Sequence, residues 1–210
     1  MATRLTSNQK IVGSTPTVSV FCSTQQKYIL TDDEPLVTTN HSISSNTSLY
    51  IMKQQLREFF GPRRLYFVCG KVYQDQSYAN RLVHWFVLRN LPVVPVTPRG
   101  GEIPLANGKK SLEISKSISD GLNASELKNS IDGISVCFVT PPPITLSILQ
   151  QLKEAELPVR SVWFQPGSWN MDCVKSAEND LHIEGSKVIN DCILMNGHAN
   201  YVKSELTQED

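Results

Sequence analysis

The sequence predicts an α/β fold: a doubly wound parallel sheet of five strands, preceded by a disordered N-terminal extension. Three observations predict it. From about residue 49 onward, short apolar runs alternate with helical segments, the pattern of βαβ units. The runs are continuously apolar rather than alternating, as in strands covered on both faces. Residues 1–48 are rich in Ser, Thr and Asn and show no helical period, so they bury too little surface to offset the entropy of ordering. Within them, Thr17 to Phe21 alternates like a strand and could dock on a sheet edge.

The elements follow in order. Ser48 caps a helix whose apolar face carries Leu49, Met52, Leu56, Phe59 and Phe60, and Gly61-Pro62 ends it. The first strand is Leu65 to Cys69, closed by Gly70. A helix from about Ser77 to Arg89 leads to the second strand, Val93 to Val96, closed by Thr97-Pro98-Arg99. Residues 100–123 form a looser stretch with a short strand at Ser111 to Ile114, and a short helix covers Ser125 to Ser130. The third sheet strand is Ile134 to Val139. Three prolines follow it, and then a helix from Ile144 to Ala155. The fourth is Val159 to Phe164, followed by Gln165-Pro166-Gly167 and a helix to about Leu181. The last lies near Lys187 to Ile189. The organisation is therefore an extension over 1–48, one Rossmann-like domain over 49–202 and a tail over 203–210.

Composition narrows the partners. Lys+Arg and Asp+Glu each number 20 in 210 residues, with no dense basic run, which argues against nucleic acid. No apolar run is long enough to span a bilayer. The five cysteines are scattered, without a CxxC pair, which argues against a zinc site or a disulfide scaffold and for a reducing compartment. A cytoplasmic location fits. Arg4, Lys10 and Lys27 all precede the first acidic residue, Asp32, a bias that keeps a mitochondrial location as the alternative.

Parallel sheets bind ligands beside the C-terminal ends of their strands, and the unusual loops all fall there. Gly70 and Lys71 follow the first strand without the full G-x-G-x-x-G pattern. Lys71 and the helix N-terminus near Ser77 offer a cation and free N–H groups to phosphate, although a solvated loop lysine would explain Lys71 equally well. After the second strand an NAD site carries Asp or Glu; this chain has Thr97-Pro98-Arg99, with no carboxylate before Glu102. Arg99 suits a phosphate on the adenosine ribose, as in NADP or coenzyme A, or is an exposed turn arginine. No nucleophile–base set emerges from His84, His182 and His198. Cys192, beside Asp191, is either a reactive or a buried inert thiol.

Five segments together resemble a known family: Phe67-Val68-Cys69-Gly70, Tyr78-Ala79-Asn80-Arg81, Pro92 to Pro98, Val162 to Gly167, and Cys192-Ile193-Leu194. The family is that of small stand-alone coenzyme A-binding domains of the succinyl-CoA synthetase type. The resemblance implies a Rossmann-like sheet with a coenzyme A site lined by Gly70, Ser77, Tyr78, Thr97, Pro98, Arg99, Thr140, Pro141, Gln165 and Gly167. To these the first loop adds Lys71. The chain departs from the family pattern at Lys71-Val72, where Ala-Ser is usual, and at Ser77-Tyr78-Ala79, where Lys-Tyr-Gly is. The synthetases' catalytic histidine belongs to a region this chain lacks, so ligase activity is not implied. The expected function is non-catalytic or regulatory binding of coenzyme A or an acyl-CoA. The alternatives are an NADP-linked oxidoreductase and a degenerate Rossmann domain retained for protein contacts.

Overall fold

The computed structural model describes residues 54–105 and 111–206. The predicted extension, the segment Thr17 to Phe21 and the first turn of the first helix lie outside the described residues.

Residues 54–59 are helical (α1) and stop at Phe60-Gly61-Pro62, as proline requires. The strands β1 (Arg64–Cys69), β2 (Val93–Val96), β5 (Gly133–Phe138), β6 (Val159–Phe164) and β7 (Val188–Asn190) form one sheet in the order β2-β1-β5-β6-β7. Every neighbouring pair is parallel. All five predicted apolar runs are therefore sheet strands, and β5 is buried along its whole length.

Helices cover both faces. On one, α1, α2 (Tyr78–Val87) and α6 (Ile193–Asn196) pack over Tyr66, Val68, Cys137 and Trp163. Aromatic rings dominate this layer, with Phe59 edge-on to Trp163 at 5.2 Å between centroids. Tyr66 is fully buried, and its hydroxyl closes a loop onto Gly61, accepting from the N–H at 3.1 Å and reaching the carbonyl at 3.2 Å. Burial pushes that phenol up to about 12. On the other face, α3 (Ile118–Ala124), α4 (Pro142–Glu154) and α5 (Met171–Lys175) pack over Phe67, Val136, Phe138, Val162 and Phe164.

Three details differ from the sequence expectation. The looser stretch holds a two-stranded antiparallel hairpin, β3 (Gly101–Ile103) with β4 (Leu112–Ile114), and then α3. Ser115 beyond β4 accepts from Thr97 N–H and donates to Pro95 carbonyl, so the hairpin covers the β2 edge, where Pro95 offers no N–H. The expected helix at Ser125 to Ser130 is one 3₁₀ turn, Glu126–Asn129. The helix after β6 is α5, capped by Asn170, and then a π-helical turn at Ser176–Asp180.

At the other end of the chain, Glu205 N–H donates to Pro62 carbonyl at 2.7 Å, bringing residues 203–206 back to the start of β1. Among the described residues no helix is long and apolar enough to cross a membrane.

Candidate functional site

The chain leaves β1 for β2 on one side and later returns to β5 on the other, so β1 and β5 diverge into helices on opposite faces. Such a switch point opens a crevice at the strand C-terminal ends. A cleft of about 700 Å³ lies there, within the size range of small-molecule sites. Its walls come from the β1–α2 loop, the end of β2, the N-terminal half of α3, and α4 with its preceding loop.

Gly70 forms the apex. A Cβ there would stand 2.9 Å from the Ala79 Cβ and 3.2 Å from the Val139 Cβ, so only glycine lets β1, α2 and β5 meet this closely. The next residues are tied down. Val72 is fully buried, Asn80 Nδ2 donates to Val72 carbonyl at 2.9 Å, and Ser77 Oγ donates to Lys71 carbonyl at 2.8 Å. The departure at Lys71-Val72 thus has a physical content: Val72 anchors the loop in the core while Lys71 stays exposed on the cleft.

Ser77 also caps α2, its Oγ accepting from Asn80 N–H at 3.1 Å. The N–H groups of Tyr78 and Ala79, in the first turn, have no acceptor within the helix and form the positive end of its dipole. The α4 N-terminus is different. Pro142 and Pro143 carry no N–H, and the Ile144 and Thr145 N–H groups both donate to Pro141 carbonyl. Of the two, α2 is the end equipped to meet an anion.

The cleft's charges are one-sided. Among the described residues, the charged side chains lining it are Lys71 and Lys116, and no carboxylate joins them. Glu102, the first carboxylate after β2, is an exposed β3 residue bonded to Ser111. Among the described residues no histidine lines the cleft, and Cys69 at its floor is fully buried, its thiol pushed up to about 12 by burial.

The structure brings Gly70, Lys71, Ser77, Tyr78, Thr97, Pro98, Thr140 and Pro141 together in this lining, and leaves Arg99, Gln165 and Gly167 outside it. Arg99 is exposed, its guanidinium 4.6 Å from the ring centroid of Tyr73, which does line the cleft. Gln165 is 1 % exposed and turns inward behind Tyr78. Its Oε1 accepts from the Tyr78 hydroxyl at 3.0 Å and from Ile193 N–H at 3.2 Å. The Tyr78 hydroxyl also contacts Cys192 Sγ. Burial first, and then that thiol, push the phenol up, which keeps it a neutral donor. Gly167 is exposed at φ +84°, a turn position that suits glycine.

Lining residues that the sequence reading missed come mainly from α3 and α4: Lys116, Ile118, Ser119, Ile144, Ser147, Ile148 and Gln151. A signal for α3 exists in Ser117-x-x-Asp120. Ser117 Oγ accepts from Asp120 N–H at 3.0 Å and donates to its carboxylate at 2.8 Å, a form of capping box.

A family model described as a CoA binding domain matches residues 64–198. A solved structure, a conserved hypothetical protein from Pyrococcus furiosus, is similar at 20% identity, covering 63% of this chain and 97% of its own, with a TM-score of 0.42. No curated protein matches.

Proposed function

This chain belongs to the CoA-binding domain family, and on that premise we propose that it binds coenzyme A or an acyl-CoA in the β1–β5 cleft, as a non-catalytic or regulatory module. The carrying observation is the one-sided charge of the lining: Lys71 and Lys116 without a carboxylate, beside the capped N-terminus of α2. That arrangement suits a polyanion. Pyrophosphate would lie against Gly70, Lys71 and the first turn of α2, with Ser77 and Tyr78 holding the loop and Thr97, Pro98, Thr140 and Pro141 flanking the nucleotide. Arg99 would reach the ribose phosphate from the rim, across Tyr73. Gln165 and Gly167 would act from behind, through Tyr78 and the turn after β6.

What supports a non-catalytic role is the lining's chemistry. Among the described residues it offers neither histidine nor carboxylate to move a proton, and its thiol is buried.

Calorimetric titration with coenzyme A, NADP and NAD tests the reading. Coenzyme A should bind most tightly, and NAD should bind least because no carboxylate waits for its ribose hydroxyls. Binding of NADP or NAD without binding of coenzyme A would overturn it.

A further inference from the structure

The cleft has Lys71 and the α2 N-terminus at one end. Away from that end it continues between α3 and α4 as a mainly apolar groove, whose polar members are Ser119, Ser147 and Gln151. Helix α4 turns Thr145, Leu149 and Leu152 into the core, which leaves Ile144 and Ile148 as an i, i+4 apolar pair along its flank. Ile144 is 52% exposed. Ile118 lines the groove with them from α3, and Leu157 lies at its far end. A second cavity adjoins the first at Ser119 and Leu157, but Asn123, Lys128, Asn129 and Asp132 make its lining polar, so the apolar groove ends near Leu157. A helix of 13 residues is about 20 Å long.

A site that is cationic at one end and mainly apolar between its helices complements an amphiphile. We infer that this α3–α4 groove holds the aliphatic chain of a medium- or long-chain acyl-CoA whose phosphates lie at the Gly70 loop. The inference rests on the coenzyme A reading and specifies the acyl group it would take. An aliphatic chain fits better than a second polar group because the side chains of Ile118, Ile144, Ile148, Leu152 and Leu157 offer no hydrogen bonds and outweigh Ser119, Ser147 and Gln151. Burying each methylene of such a chain strengthens binding roughly fourfold.

The test is calorimetric titration of the full chain with coenzyme A, acetyl-CoA and octanoyl-CoA, the last kept below its micelle-forming concentration. Octanoyl-CoA should bind at least tenfold more tightly than coenzyme A, with acetyl-CoA close to coenzyme A. In Ile148→Asp, which puts a charge in the groove, the ratio of octanoyl-CoA to coenzyme A affinity should fall toward one. Ser147→Trp, at an exposed position on the groove wall, should do the same by filling it, and guards against misfolding of the first variant. Equal affinity for coenzyme A and octanoyl-CoA would overturn the inference while leaving the coenzyme A reading intact. A chain-length gain that survives in a folded variant would also overturn it, by placing the chain elsewhere. Failure of both coenzyme A and octanoyl-CoA to bind would overturn the underlying reading, and this inference with it.

Discussion

The Tyr78 hydroxyl donates to Gln165 Oε1 at 3.0 Å, across 87 residues of sequence, and so ties the first turn of α2 to the end of β6. The same oxygen accepts from Ile193 N–H at the start of α6, so one buried amide joins three elements beneath the cleft. Gln165→Ala should cost about 1–3 kcal/mol, because it leaves the buried Ile193 N–H without this partner. Tyr78→Phe should cost about 1 kcal/mol, since Gln165 keeps Ile193. Urea unfolding of both variants and the double variant checks this, and their costs should add to less than a sum because the two share one bond.

Gly70→Ala tests the apex. Its new methyl group meets the Ala79 and Val139 Cβ atoms, which are rigid near neighbours rather than the ends of flexible chains. Destabilisation of about 1–3 kcal/mol is expected from overpacking, read as a lower melting temperature. Weaker coenzyme A binding should accompany it, as the Lys71 loop shifts.

Much of the fold was legible in the sequence, because β1, β2, β5 and β6 are buried on both faces and their apolar runs say so directly. The hairpin was less legible. Its strands span Gly101–Ile103 and Leu112–Ile114, and only the second carries an apolar pattern. Helix α3 was hidden by Gly121 in its middle. That glycine reads as loop, yet a Cβ there would stand 2.8 Å from Val94 Cγ1, so it serves close packing of α3 on the sheet. The lining of the candidate cleft was legible where it follows strand ends, as at Gly70, Thr97 and Thr140. Missing α3 meant missing Lys116 and the α3–α4 groove. Gln165 also follows a strand end, but its amide turns into the core, an orientation that no local pattern reveals.

Lys71→Ala and Lys116→Ala should each weaken coenzyme A binding about tenfold, the effect of losing one charge-assisted contact. Stability should hardly change, since both lysines are exposed. The wild-type affinity should also fall with added salt, less steeply in the double variant. Calorimetry across a salt series reads both effects.

Arg99→Ala should weaken coenzyme A more than dephospho-coenzyme A, which lacks the ribose phosphate. The reach is across Tyr73, whose ring holds the guanidinium at 4.6 Å. The positive φ angles of Gly100 and Gly101 turn the following chain into β3, and Arg99 lines a neighbouring cavity with both glycines. Equal effects on the two ligands would detach Arg99 from that phosphate.

Hydrogen exchange read by mass spectrometry, with and without saturating coenzyme A, tests the placement of the ligand most directly. Binding at the β1–β5 switch point should slow exchange in residues 69–80 and 144–148, which frame the cleft from α2 and α4. Exchange around Asp132 and Pro158, at the opposite edge of the sheet, should be unchanged. Protection confined to that opposite edge, or no protection anywhere at saturating coenzyme A, would contradict the account.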